Sequence, residues 1–364
     1  MKNYCPDLFQ NLFIQKTNAN QVELGFCCVS KLSPPLDKID FNDSYLENQR
    51  KKYLETNVLP ESCSQCVQDE LANSTSRRLQ QLAHNRDHNF STKNNLRWLQ
   101  YNCDNICNLK CIACSSYYSS AWIEDEKLLG HHVSLRIKPT KHNNLLFEFD
   151  LENVSQIYFN GGEPLLTKDH TRVLEYIANN VDSKKIHVLY NTNATLKLSD
   201  EVISLWDKFA SVTLIASIDA IDEPFEYIRY PANWNQVKQN LQHYLDHTNV
   251  NIGANIGIHN IMYFTDLYNF SLDHKIQFNF QSDTQGLLSL KNTPAHLAEK
   301  IIINLEQAEE STTKKILLNT LSNSTKPNLS WINYLNRLDK IRNNSWKKSL
   351  DRLYNLDRQF FDEY

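Results

Sequence analysis

The sequence predicts an α/β chain built around a partial (β/α)6 parallel barrel, with a cysteine-rich region before it and a helical extension after it. Three observations lead there. Six short apolar runs alternate with helical patterns between Leu96 and Phe280, all nine cysteines fall in the first third of the 364 residues, and strand-like runs stop near Pro294. Such alternation reads as βαβ units and a parallel sheet. At roughly 100–200 residues per domain the length allows two or three domains. The expected boundaries are 1–92, 93–290 and 291–364.

Residues 1–92 read as polar and irregular, with one amphipathic helix near 45–55. The apolar runs are 96–101, 157–159, 186–190, 212–218, 252–258 and 276–280, and helical stretches fall at 171–179, 199–209, 234–247 and 264–274. Six units suffice for a partly closed barrel, short of the usual eight. The tail (295–305, 314–321, 331–343 and 346–361) carries Trp, Tyr and Leu at helical spacing, which suits a packed cap on the barrel. In parallel α/β folds ligands sit at the carboxyl ends of the strands, so chemistry is sought just after each run.

Composition narrows the function. Hydrophobic residues are 41% and charged residues 22%, which is globular. Lys+Arg 38 against Asp+Glu 42 gives a net charge of −4, which argues against a polynucleotide partner. No apolar run reaches the ~18 residues of a membrane span, and the start MKNYCPDLF lacks the apolar stretch of a signal peptide. A soluble, cytoplasmic chain is expected. There the clustered cysteines point to metal binding or redox work and not to disulfides. Glycine is only 7 of 364, so paired glycines are there for a reason.

After the first run comes NCDNICNLKCIACSSYYSSAW, in which Cys107, Cys111 and Cys114 have the spacing C-x3-C-x2-C. A [4Fe–4S] cluster ordinarily takes four cysteines, so three thiolates leave one iron open to a non-protein ligand. The ferredoxin spacing is not matched, and structural zinc needs a fourth nearby ligand. Cys103 offers a competing C-x3-C-x3-C spacing with Cys107 and Cys111; it reads as a bystander at the strand end. The second run ends in YFNGGEPLL. Gly161 and Gly162 permit close backbone approach to a ligand, and the Glu163 carboxylate can accept from an ammonium.

The cysteine loop and the Gly161-Gly162-Glu163-Pro164 turn together resemble the cluster and GGEP motifs of the radical S-adenosylmethionine (radical SAM) superfamily. The resemblance implies that Cys107, Cys111 and Cys114 hold a [4Fe–4S] cluster whose open iron chelates SAM, and that residues 161–164 contact the SAM amino group. LYNTNAT resembles the family's next strand end, with Asn193 (and Asn191 beside it) as the polar position and Ala194 replacing a common glycine. IASIDA places Ser217 where the family bonds the SAM ribose, with Asp219 read as structural; FEYIRYPANW places Arg229 where a basic group meets the SAM carboxylate. Ala113 departs from the usual aromatic or Met before the last cysteine, and Tyr117 or Tyr118 is the expected substitute.

Cys5, the Cys27-Cys28 pair and Cys63-x2-Cys66 remain. Four thiolates accept either zinc or an iron–sulfur cluster. CPDLF, FCC and CSQCVQDELANSTSRR resemble the N-terminal twitch domain of certain radical SAM proteins, with Glu70 as its acidic residue and Ser76 ahead of Arg77 and Arg78. That resemblance implies an auxiliary [4Fe–4S] cluster on Cys5, Cys27, Cys63 and Cys66, with zinc as the alternative and Cys27 chosen over Cys28. It further implies hydrogen abstraction from a peptide or protein substrate, fed by a flavodoxin- or ferredoxin-type electron donor. The alternatives are the same chemistry on a small metabolite or cofactor precursor, and a non-catalytic electron-transfer or zinc protein. No hydrogen donor or general base stands out.

Overall fold

A computed structural model describes residues 4–18, 21–71, 75–84, 91–133, 149–282, 286–306, 312–322 and 327–364. Residues 72–74, part of the expected N-terminal motif, lie outside them. Among these residues the chain is mixed α/β, with eight strands that are mostly parallel. It divides into two compact units: Met1–Ile106, Leu135–Tyr190 and Ser199–Val212 in the first, Cys107–Ser134, Asn191–Leu198 and Thr213–Tyr364 in the second. The expected boundary at 92/93 falls inside the first unit and that at 290/291 inside the second.

The first unit holds β1 (Asn11–Asn18), β2 (Gln21–Gly25), β3 (Trp98–Asn102) and β4 (Gln156–Asn160), and β5 (His187–Thr192) up to Tyr190. Their order is β2-β1-β3-β4-β5. β1 and β2 form an antiparallel hairpin in a stretch that reads as irregular in sequence, and β1 runs parallel to β3 with Leu12 opposite Leu99. Leu99, Ile157 and Val188 lie side by side across β3, β4 and β5 and are fully buried. The expected helix near 45–55 is present as Ser44–Thr56, capped at its start by the Asp43 carboxylate, which accepts from the Tyr45 amide.

A polar knot sits in this core. Tyr190 stacks on Phe159 at 4.9 Å between ring centroids, its hydroxyl accepts from Trp206 Nε1 at 3.2 Å, and it lies 3.0 Å from His170 Nδ1. Burial pulls the His170 pKa down to about 4. An unfolded imidazole titrates near 6.5, so between those values the unfolded chain binds a proton that the folded chain refuses. This part of the stability is complete above about pH 6.5 and is lost as pH falls towards 4, by up to about 3 kcal/mol. Urea unfolding at pH 7 and pH 4.5 should show a smaller pH-dependent drop for His170→Gln than for the parent.

The second unit holds most of β6 (Ser211–Ser217), then β7 (Asn249–Ile256) and β8 (Gln277–Ser282), all parallel, with Leu214 opposite Val250 and Ile252 opposite Phe278. Helices Asp222–Ile228, Trp234–Leu245 and Phe264–Asp273 follow these strands, and Asn233 caps the second of them by accepting from the Gln236 amide. Among the described residues no strand follows β8, and helices Ala295–Glu306, Thr312–Ser322 and Ser330–Arg342 lead the tail. Trp331, Trp346 and Phe361 pack there edge to face, with ring centroids 5.3–6.2 Å apart. Among the described residues no helix is long and apolar enough to cross a membrane.

Candidate functional site

In the second unit the three-cysteine loop has no regular secondary structure, and its neighbours fix its backbone. Lys110 N donates to Tyr230 O at 2.6 Å, and Ile112 N to Ile228 O at 2.9 Å. The Cys111 carbonyl accepts from Trp122 Nε1 at 2.9 Å, and the Ile112 carbonyl accepts from the Tyr334 hydroxyl at 2.6 Å. Ser119 Oγ donates to the Leu109 carbonyl at 2.6 Å. Main-chain groups that helix or sheet would otherwise satisfy are met one by one, and the three thiols are half-buried.

Two of those sulfurs face N–H donors, one just after strand β5 and one at the end of the helix Asp222–Ile228. Asn193 Nδ2 lies 3.8 Å from Cys107 Sγ and also donates to Asn108 Oδ1 at 2.8 Å. Arg229 Nη1 lies 3.8 Å from Cys111 Sγ, while Nη2 pairs with Asp219 Oδ2 at 2.8 Å. Asp219 is itself held by the Asn255 amide at 2.8 Å and by Asn260 Nδ2, which donates to the Asp219 carbonyl at 2.9 Å. Arg229 is therefore aimed by Asp219, a partnership that the sequence does not show. Burial pushes the Cys111 thiol up, with the Arg229 charge opposing it, and pushes Cys114 up to about 12.

Ala194, in place of the expected glycine, adopts the left-handed conformation at φ 59°. Its carbonyl accepts from Asn240 Nδ2 at 2.9 Å. The Ser217 hydroxyl makes no hydrogen bond among the described residues. Tyr117 is half-buried and edge-on to the exposed Tyr118, with centroids 4.7 Å apart.

The glycine turn belongs to the first unit. Gly162 N donates to Asp104 O at 2.7 Å, and Glu163 N to the carbonyl of Ile106, the residue before Cys107, at 2.8 Å. Gly161 has φ 126°, and a Cβ on Gly162 would collide with the Ile106 carbonyl and come within 2.8 Å of the Asn105 carbonyl carbon. What approaches these glycines closely is the chain itself, at the point where it enters the cysteine loop. Gly162→Ala should therefore cost about 2–3 kcal/mol through forced backbone displacement, read as a lower denaturation midpoint. Glu163 is buried and caps the short turn Pro164–Leu166 by accepting from Leu165 N at 3.1 Å, with Pro164 at its first position. Cys103 is buried in this unit, and its amide donates to Asn160 O at 3.0 Å.

Also in the first unit, Cys5, Cys27, Cys63 and Cys66 line one small cavity with Asp7, Arg77 and Arg78. Cys28 is exposed and is not part of the lining. Asp7 is buried against Arg77 Nε at 3.0 Å. Glu70, Ser76 and Arg78 form one triad: Ser76 Oγ donates to Glu70 Oε1 at 2.6 Å and Arg78 Nε to the same oxygen at 3.0 Å. Arg78 Nη1 reaches the Tyr4 carbonyl at 3.2 Å, beside Cys5. Burial pushes the Cys5 and Cys27 thiols up, and Cys63 up to about 12. Thiols so placed ionise only against a compensating positive charge, such as a metal supplies.

Among the described residues no group of three or more His, Cys, Asp or Glu could hold a metal ion as it stands. The donor chemistry nevertheless fits clusters: soft thiols, one set of three and one of four, the first with N–H donors at two of its sulfurs.

No family model matches the sequence, and no curated protein is similar to it. Among solved structures, native anSMEcpe with bound AdoMet is 16% identical over 67% of this chain, with a TM-score of 0.39. The match spans 66% of that chain, just under two thirds of its length. Streptococcus suis SuiB bound to precursor peptide SuiA is 14% identical over 93% of this chain and 78% of its own, at 0.37. TYW1 with a lysine-pyruvate adduct bound is 16% identical over 57% and 74%, at 0.33. Likeness at this level carries neither activity nor substrate to this chain.

Proposed function

We propose that the chain is a radical SAM enzyme that modifies a peptide or protein. The observation that carries the reading is that two sulfurs of the C-x3-C-x2-C loop face polar donors, Asn193 and Arg229, that the family resemblance had singled out. In that chemistry an electron from a reduced [4Fe–4S] cluster cleaves SAM to methionine and a 5′-deoxyadenosyl radical, which takes a hydrogen atom from substrate.

Cys107, Cys111 and Cys114 would each hold one iron, with N–H groups of Asn193 and Arg229 offsetting negative charge at the first two sulfurs. Asp219 keeps the Arg229 guanidinium charged and oriented. Its Nε, without a partner among the described residues, would meet the SAM carboxylate. The unpartnered Ser217 hydroxyl suits a ribose. Residues 161–164 would serve the amino group, with Glu163 turning from its cap to do so. Cys5, Cys27, Cys63 and Cys66 would hold the auxiliary [4Fe–4S] cluster, with zinc as the alternative, in the twitch-like domain. The partial (β/α)6 barrel, a flavodoxin- or ferredoxin-type donor and a cytoplasmic setting belong to the same reading. Chemistry on a small metabolite is the second reading of the substrate.

The test is anaerobic reconstitution with iron and sulfide, reduction with SAM, and assay for 5′-deoxyadenosine with iron and zinc counted together. About eight irons per chain and 5′-deoxyadenosine are expected. About four irons plus zinc would replace the auxiliary cluster by a zinc site. Stable iron with no cleavage of SAM, also in the presence of candidate peptides, would leave an electron-transfer protein.

A further inference from the structure

In the second unit a ring of hydrogen bonds joins the residue after Cys107 to the turn that follows β5. Thr195 Oγ1 donates to Asn193 Oδ1 at 2.7 Å, Asn193 Nδ2 to Asn108 Oδ1 at 2.8 Å, and Asn108 Nδ2 to Thr195 Oγ1 at 2.9 Å. The ring has one sense only. The Thr195 backbone amide, which can only donate, also meets Asn193 Oδ1 at 3.0 Å, so that atom is the oxygen and Nδ2 points the other way. Of the two hydrogens on Nδ2, one goes to Asn108 and the other reaches Cys107 Sγ at 3.8 Å. Helix Trp234–Leu245 fixes the backbone of the turn: Asn240 Nδ2 donates to Ala194 O at 2.9 Å, and Gln236 Nε2, about one turn earlier, to Thr195 O at 3.2 Å. Asn193, Thr195 and Asn240 are buried, while Asn108 is exposed.

We infer that Asn108 and Thr195 are positioning residues that set the reduction potential of the loop's [4Fe–4S] cluster by holding the Asn193 amide on Cys107 Sγ. The inference rests on the reading of the three-cysteine loop as a cluster site, and requires neither a substrate nor cleavage of SAM. Reduction adds negative charge that spreads onto the sulfurs. A donor N–H there favours the reduced state and so raises the potential. The three sulfurs are not alike in this respect. Cys107 Sγ has the Leu109 amide at 3.5 Å besides Asn193, Cys111 Sγ has Arg229, and Cys114 Sγ lies 3.7 Å from the Ser115 carbonyl, which offers it no donor. An amide free to turn over would at times set its oxygen against the sulfur. The ring removes that choice. Turning Asn193 over would put Nδ2 against the Thr195 amide and Oδ1 against Asn108 Oδ1, which leaves buried donors and acceptors unpaired. Neither Asn108 nor Thr195 bonds to a sulfur among the described residues, so both act through Asn193.

The experiment is a redox titration of the full chain, reconstituted anaerobically with iron and sulfide. It follows the electron paramagnetic resonance signal of the reduced cluster that Cys107→Ala abolishes. Asn108→Leu combined with Thr195→Val should lower the ratio of reduced to oxidised cluster at a fixed potential about tenfold, which for a one-electron couple is a downward shift of about 59 mV. Each change alone should give a smaller shift in the same direction. Thr195→Ser keeps the hydroxyl and should titrate like the parent. Asn193→Asp offers no N–H and adds a negative charge, so it should shift the potential at least as far as the double variant. Asn108→Leu should keep its iron and its melting curve, because the replaced side chain is exposed; a residue that served the fold alone would leave the potential where it was. An unmoved potential in Asn108→Leu and in the double variant, or a shift in Thr195→Ser as large as in Thr195→Val, would overturn the inference. If the parent cleaves SAM and the potential does not respond, the inference alone fails. If the potential responds in a chain that never cleaves SAM, the enzyme reading alone fails. If no signal is lost in Cys107→Ala, both fail.

Discussion

Cys111→Ala is expected to bring 5′-deoxyadenosine formation to background and to remove about four irons per chain. The same is expected of Cys107→Ala and Cys114→Ala, since on the proposed reading each thiolate would hold a different iron. Cys103→Ala should keep both the cleavage and the iron. Its thiol is buried in the first unit, whereas the other three are half-buried on the loop. Full activity in any of the three loop variants would refute the cluster assignment, and loss in Cys103→Ala would favour the competing spacing. Iron counting matters as much as activity, because a variant that keeps its iron but loses cleavage would have lost SAM geometry and not the cluster.

Arg342→Met should have the largest effect on stability, about 3 kcal/mol, because it breaks a buried ion pair and leaves the buried Asp125 carboxylate with Lys110 but without the guanidinium. Arg342 Nε meets Asp125 Oδ2 at 2.9 Å with both side chains 4% exposed, and Lys110 Nζ takes the other Asp125 oxygen at 2.8 Å. The guanidinium also lies over the rings of Trp122, at 4.7 Å, and Tyr230, at 5.1 Å. Both rings belong to residues that hold the cysteine loop: Trp122 through the Cys111 carbonyl, Tyr230 through the Lys110 amide. The variant should therefore unfold at lower denaturant and also surrender iron faster to a chelator. Pairing it with Asp125→Leu should recover much of the stability, because an apolar pair can replace a buried ion pair. If the single variant is as stable as the parent, the tail does not brace the loop.

These contacts explain what the sequence could and could not disclose. β6 and β7 were legible because Val212, Leu214, Ala216, Ile252 and Ala254 alternate with half-exposed residues, a local signal. The hairpin of β1 and β2 was missed because its strands mix Gln, Lys, Thr and Glu among the apolar residues, and its parallel partner β3 lies some eighty residues on. Gly161 and Gly162 stood out against a glycine-poor chain, yet the surface they accommodate is the chain's own backbone, which no spacing reveals. The Glu70, Ser76 and Arg78 triad was only loosely visible as an acidic residue followed by S-x-R, with Arg77 filling the middle position. Arg342 carried no signal at all: its partner Asp125 is 217 residues away.

The parallel pairing of β1 with β3 limits how the chain can be dissected. A protein shortened to begin near Leu96 would lose not only five cysteines but the strand that covers one side of β3. Its row of amides and carbonyls would then be bare, next to the aromatic side chains of Trp98 and Tyr101. Exposed edges of that kind recruit other chains. Such a fragment should precipitate or oligomerise whatever the fate of its clusters, so the role of the N-terminal cysteines is better tested by point substitution than by deletion.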